Sequence, residues 1–258
     1  MNSVEYVKKY QNPPIDEVVC GLRFGSIPGL DAVTVGFYAK ERREDFPRHE
    51  VQPPIGGAGF IIGSGAMPIR IWLVSANDEF VVQVQHDRFF VNWRARGGAY
   101  PKFSGDAGIL PKFKAECERF WTFCERELGH RPELAGIELA KIDQIPEGVY
   151  WNGLSDLGKL VPWLADLPKF SHSERPLIGM RFVEPRDNGK LSVVFDLGTL
   201  TDGKGQTLRT LKLESRIERA VEGGIDTALE AFKLANDEIN EVFDVVIPEQ
   251  ERSKRFNG

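Results

Sequence analysis

Tight-turn signals at Asn77-Asp78, Asp187-Asn188-Gly189 and Asp202-Gly203 each stand between two strand-like runs, and that arrangement limits the fold more than any other feature. A short turn of Asn, Asp and Gly joins antiparallel neighbours, whereas parallel strands need a long crossover. The runs are residues 69–76 with 79–93, 177–183 with 191–200, and the last of these with 207–217. Leu211, Leu213, Ser215 and Ile217 alternate with Lys212, Glu214 and Arg216, giving one buried and one wet face. Two further strands are predicted over residues 13–24, where Val18, Cys20, Leu22 and Phe24 alternate, and over residues 134–145. The fold class that follows is α+β, a mainly antiparallel sheet with helices packed on one face.

Helices are predicted between the strand groups. Residues 110–128 carry Leu110, Phe113, Cys117, Phe120, Trp121, Cys124 and Leu128 at steps of three and four, with Pro111 in the first turn and Gly129 at the C-cap. Glu116, Glu118, Glu125 and Glu127 read as its solvated face. Residues 225–243 repeat the pattern with Ile225, Ala228, Leu229, Phe232, Ile239 and Phe243. Residues 29–46 form a weaker candidate, with Leu30, Val33, Phe37 and Phe46 as its stripe and residues 40–45 as a solvated end that Pro47 stops. Residues 154–167 read as a short helix with Ser155 as N-cap and a kink at Pro162. Residues 48–68 read as an irregular connection with a short strand at residues 60–62, and the tail after residue 248 as frayed.

Each half of the chain therefore reads strand–helix–three strands–helix, with the halves divided as residues 1–130 and 131–258. They stand as two domains or as one merged domain built from a repeated unit. The order of elements carries this reading; GLRF at residues 21–24 and GMRF at residues 179–182 fall on non-equivalent strands.

A net charge of −5, with basic and acidic residues balanced over residues 1–130, is not that of a strongly basic nucleic-acid binder. Cys20, Cys117 and Cys124, with no CxxC among them, exclude a disulfide framework or a zinc motif and read as buried thiols. The polar N-terminus lacks the apolar stretch of a signal peptide, and no apolar run is long enough to cross a membrane, so a cytoplasmic location is expected.

The densest group of chemistry-bearing residues is the stretch at residues 80–103, FVVQVQHDRFFVNWRARGGAYPKF. Read as one strand, Gln83, Gln85, Asp87, Phe89, Val91 and Trp93 share one side and Val82, Val84, His86, Arg88, Phe90, Asn92 and Arg94 the other. Neither side is cleanly apolar, which predicts a bulge near residues 86–88. His86-Asp87-Arg88 is a candidate acid–base or anion cluster; the plainer reading pairs Asp87 and Arg88 with strand neighbours and leaves His86 exposed. Arg88, Trp93, Arg94, Arg96 and Tyr100 are the candidate ligand-binding residues, able to stack on a base and clamp a phosphate. The plainer reading makes them an aromatic plug at the sheet end, solvated by arginines.

No catalytic motif stands beside them. Gly56-Gly57-Ala58-Gly59 and Gly63-Ser64-Gly65 lack the lysine and the helix of a phosphate loop and the spacing of a nucleophile elbow. His49, His86, His130 and His172 are single and widely spaced, so neither a metal nor a cofactor is expected.

NPPIDEVVCGLRF at residues 12–24, VQVQHDRFFVNWR at 82–94, YPKF at 100–103 and ELAKIDQI at 138–145, in that order, resemble a sporadically distributed prokaryotic family of about this length with no established activity. The closing helix, with Ala235, Ile239 and Phe243, is similar as well. The chain departs from the family's pattern at Lys141-Ile142-Asp143, where tyrosine and asparagine are usual, and at Asn236, where histidine is usual. The resemblance implies length, element order and a bacterial setting, and carries no catalytic residue. The function expected is that of a non-enzymatic binding protein, joining another protein or a second copy through sheet faces and hairpin edges, in an accessory locus such as toxin–antitoxin or phage defence. The alternative is a nucleotide- or nucleic-acid-binding domain, with or without hydrolytic activity, centred on Arg88, Trp93 and Arg94.

Overall fold

Valine, isoleucine, phenylalanine and tryptophan fill the alternating runs, and in the computed structural model those runs become a nine-stranded sheet. Residues 10, 13–55, 70–97, 99–166, 177–201, 205 and 207–257 are described. The elements are β1 (Ile15–Phe24), α1 (Ala32–Glu41), β2 (Arg48–Gln52), β3 (Arg70–Val74), β4 (Phe80–Gln85), β5 (Arg88–Arg94), α2 (Ile109–Leu128), β6 (Leu134–Pro146), α3 (Gly153–Leu160), a 3₁₀ turn (Pro162–Asp166), β7 (Ile178–Arg186), β8 (Gly189–Thr201), β9 (Thr207–Ala220), α4 (Ile225–Val246) and α5 (Glu249–Phe256). The strand order is β2-β3-β4-β5-β1-β6-β9-β8-β7, so the antiparallel α+β class expected from the turns is the one observed. The strand anticipated at residues 60–62, the glycine run at 56–65 and the turn at Asp202-Gly203 lie outside the described residues.

Two compact units interleave along the chain. The first comprises Glu17–Leu139 and Glu218–Lys233. Its core forms where α2 meets one sheet face. The registers Val18↔Trp93, Cys20↔Val91 and Leu22↔Phe89, with Val82↔Val91 and Val84↔Phe89, put those apolar side chains on a common face. Phe120 of α2 stacks on Phe89 at 4.6 Å between ring centroids and on Phe24 at 6.1 Å. Tyr38 of α1 meets Phe120 and Phe123 edge-on or tilted, at 5.5 and 5.1 Å. Gly129, at φ 78°, closes α2 in the left-handed conformation that glycine adopts without strain.

Several expectations are corrected in this unit. In α1 the buried residues are Val35 and Tyr38, whereas Val33 and Phe37 are 65% and 53% exposed. Asp31 caps the helix, accepting from the Val33 and Thr34 amides at 3.0 and 2.9 Å, and so sets its start two residues later than the stripe implied. Arg42, assigned to a solvated end, is buried. Glu116, assigned to the wet face of α2, is fully buried, and Arg42 Nη2 donates to its two carboxylate oxygens at 3.0 and 2.8 Å. Residues 48–52, expected to be irregular, form β2 against β3.

The second unit comprises Met1–Asp16, Ala140–Ile217 and Leu234–Gly258. Pro162 has no N–H for a helical bond, so α3 ends at Leu160 and the chain continues as a 3₁₀ turn. Asn152, not Ser155, is the residue at the N-cap of α3. Trp151 is fully buried and its indole N–H donates to the Ile145 carbonyl at 2.7 Å. The tail expected to fray is helix α5, with Arg252 and Phe256 buried. Tyr10, Tyr150 and Phe243 surround the Phe256 ring at 5.8, 5.2 and 5.8 Å. Arg255 holds both Asp156 oxygens, at 3.0 and 2.9 Å, and also donates to the Tyr150 carbonyl.

Candidate interaction surfaces

The stretch at residues 80–94 is a hairpin, not one bulged strand. His86 and Asp87 form a two-residue turn, with Gln85 pairing directly with Arg88. The Phe24 and Ile27 amides donate to the Asp87 and His86 carbonyls, each at 3.0 Å, which ties the turn to the end of β1. The reversal explains the mixed faces of the single-strand reading. Odd residues of β4 pair with even residues of β5, so Phe80, Val82 and Val84 join Phe89, Val91 and Trp93 on the α2 side. Val81, Gln83 and Gln85 join Arg88, Phe90, Asn92 and Arg94 on the other.

A continuous hydrogen-bonded relay crosses this second face. Arg70 donates to Gln83 at 3.0 Å, Gln83 to Asn92 at 2.7 Å, and Asn92 to Glu17 at 2.6 Å. Arg94 donates to Glu17 and to Asp78, both at 3.3 Å, and Asp78 also accepts from Arg96 at 2.9 Å and Arg48 at 3.1 Å. Partial burial works to raise the Asp78 carboxyl, but the Arg96 hydrogen bond with the Arg94 and Arg48 charges outweighs it and holds the group below its ordinary value. Gln83 and Asn92 are buried, and their amides are oriented by these bonds.

The residues nominated from the sequence part company here. Trp93 is buried on the α2 side, its indole N–H donating to Glu79 at 3.2 Å and its ring meeting Tyr100 edge-on at 5.2 Å. Arg88 and Arg94 are on the opposite face of the sheet. Arg88 forms ion pairs with Asp87 and Glu138, both at 3.4 Å. Arg94 and Arg96 share Asp78, and Arg96 is the more exposed of the two. Each of these three guanidinium groups therefore faces a carboxylate of the chain itself. Sequence reasoning missed Trp72, whose ring lies under Arg94 at 4.9 Å and Arg70 at 5.4 Å. Its signal was the alternation Arg70-Ile71-Trp72, which sets an arginine and a tryptophan on one side of β3.

The second surface is β7, the last strand of the sheet order. Its register with β8 runs from Ile178↔Leu197 to Arg186↔Gly189. Phe182 and Val183 are each 54% exposed. Phe182 lies edge-on to Phe195 at 6.1 Å, and Trp163 meets the same ring at 4.8 Å, making an aromatic row that ends at the strand edge. β2, at the other end of the order, exposes Arg48, His49, Glu50 and Val51.

Asp143 of β6 is pushed up to about 7, by burial first, with the nearby Asp16 adding to the shift and Lys141 opposing it. Lys141 donates to Asn240 of α4 at 2.7 Å. Cys20, Cys117 and Cys124 are free and buried, and burial drives the Cys117 and Cys124 thiols upward, the latter to about 12. Among the described residues no group of His, Cys, Asp and Glu is arranged to hold a metal ion, and no helix is long and apolar enough to cross a membrane. No protein-family model matches the chain, and searches of curated proteins and of solved structures found no match.

Proposed function

We propose that this chain is a non-enzymatic interaction protein that engages a protein partner through its β7 edge. The observation that carries the reading is a strand at the end of the sheet order with Phe182 and Val183 exposed, whereas the arginines nominated as ligand-binding are already neutralised by the chain's own carboxylates. Among the described residues no strand lies on the outer side of β7, and an edge of that kind offers main-chain groups together with the Phe182 and Val183 side chains, which gain from burial, between the charged Arg181 and Glu184. Membership of the sporadic prokaryotic family, a cytoplasmic setting and an accessory locus belong to the same proposal and rest on the motif order. So does internal duplication. The strand order supports it, because β5 and β9 lie beside β1 and β6, the first strands of their halves, and each is followed by a long helix. The test is co-purification from the host with wild type and with Arg181→Pro. Recovery of a partner or a second copy by wild type alone is expected. A strictly monomeric protein that recovers nothing overturns the reading.

A second reading has one observation in its favour. Arg70 and Arg94 flank Trp72, an arrangement suited to a base or an anionic ring system. Nucleotide or oligonucleotide binding that weakens with salt and is lost in Arg70→Ala and Arg94→Ala would establish it; binding unchanged by both removes it.

A further inference from the structure

Resting on the interaction reading, we infer that the partner of β7 is a second copy of this chain, paired antiparallel about a two-fold axis at Phe182. Pro185 lies opposite Lys190 in the β7–β8 register and has no N–H to donate to β8. Antiparallel pairs alternate between hydrogen-bonded and non-bonded, so Pro185 occupies a non-bonded pair, and Gly179, Arg181 and Val183 share that class. Their N–H and C=O groups point away from β8, toward an edge that no described strand covers. Proline is thus placed where an edge strand tolerates it, and three outward N–H donors remain.

Self-pairing has few workable registers. A two-fold axis perpendicular to the sheet sets residues of like face opposite one another. With the axis at Phe182, Arg181 faces Val183 of the second copy, and each can donate to and accept from the other. Gly179 faces Pro185 of the second copy, whose carbonyl needs only an acceptor's role. Every outward N–H of residues 179–183 then finds a carbonyl. Moving the axis to Arg181 sets that arginine against itself, a like-charge pair. Moving it to Val183 sets Arg181 against Pro185 and sacrifices donors. The register at Met180 also pairs these donors, setting Arg181 against Gly179, but it places Phe182 opposite Ile178; the register at Phe182 keeps the donors paired and adds an aromatic pair across the axis.

The side chains agree with it. Phe182 would face Phe182 of the second copy in a non-bonded pair, the closer of the two pair types, where aromatic neighbours contribute most. The row Trp163–Phe195–Phe182 would continue into its own image. Pairing of this kind is closed, so it stops at two copies, whereas pairing β7 with β2 of another copy would propagate. On β2 the charged or polar Arg48, His49 and Glu50 flank one exposed apolar residue, Val51, which weighs against that pairing.

The full chain should sediment at twice its mass of 29.0 kDa and dissociate on dilution. Arg181→Pro removes an outward donor and leaves the β8 ladder intact, so it should give a monomer with unchanged circular dichroism. Because the three native cysteines are buried, Phe182→Cys introduces a lone surface thiol. At the Cα spacing of a non-bonded pair, about 4.5 Å, copper-phenanthroline oxidation should convert it to a covalent dimer. A monomeric wild type, or a dimer that Phe182→Cys fails to cross-link, overturns the second-copy assignment. If wild type is monomeric yet loses a captured host protein on Arg181→Pro, that assignment falls while the interaction reading stands.

Discussion

Arg42 and Glu116, 74 residues apart in sequence, meet in a two-point ion pair at 3.0 and 2.8 Å around a carboxylate that solvent does not reach. Arg119 and Lys112 reach the same carboxylate at 2.8 and 3.3 Å. A buried pair adds little net stability over an apolar substitute, but breaking it strands a charge. Arg42 also pairs with the half-exposed Asp45 at 2.9 Å, so Glu116→Gln should cost about 1–3 kcal/mol in urea unfolding, and Glu116→Gln with Arg42→Met should recover much of that loss. Additive losses in the double variant would contradict this account.

Gly21 and Phe90 are direct partners in the β1–β5 register, and the Phe90 ring occupies the space a side chain would take. A Cβ at residue 21 would stand 2.2 Å from Phe90 Cδ1. Gly21→Ala is expected to cost about 1–3 kcal/mol in unfolding free energy, and much less in a Phe90→Ala background. Equal costs in both backgrounds would show that the ring is not the obstacle.

Asp143 has a folded value of about 7 against 3.8 when unfolded, with burial the leading cause. Between those values the folded chain keeps a proton that the unfolded chain has lost. This contribution makes stability fall as pH rises through the window, and its cost is complete above pH 7. Asp143→Asn should be the more stable form at pH 8 by up to a few kcal/mol, converging with wild type below about pH 4. Chemical denaturation across that range measures the gap; a gap that widens toward acid contradicts the prediction.

Arg255 ties α5 to Asp156, and its hydrogen bond is the leading reason the Asp156 carboxyl is held well below its ordinary value. Arg255→Ala should destabilise by about 2 kcal/mol and raise the rate of proteolytic cleavage near Phe256, whose ring packs on Tyr150. An unchanged digestion pattern would show that α5 is held by its apolar contacts alone.

Local patterns were legible where one face is wet. β9 and α2 could be read from Leu211, Leu213 and Ile217 and from Phe113, Cys117, Phe120 and Cys124, because their periodicity separates core from solvent. The hairpin at residues 80–94 was hidden because both of its faces are buried, so Gln83, Asn92 and Phe90 gave no alternation to follow. His86-Asp87 also lacks the glycine or asparagine that marks a tight turn. α5 was missed because its charges read as solvated, yet Arg252 is bound to Asp244 at the end of α4 and Arg255 to Asp156, 99 residues away in sequence. The role of Trp72 depends on Arg94, two strands away, and no local window contains both.

Hydrogen exchange at the β7 amides tests the central claim most directly, because only the outward donors depend on a partner. Arg181 and Val183 are expected to exchange slowly at high protein concentration and quickly on dilution, while Phe182 and Glu184, which face β8, stay protected at both. Fast exchange at Arg181 and Val183 at every concentration, alone and with host extract added, would contradict an interaction through this edge.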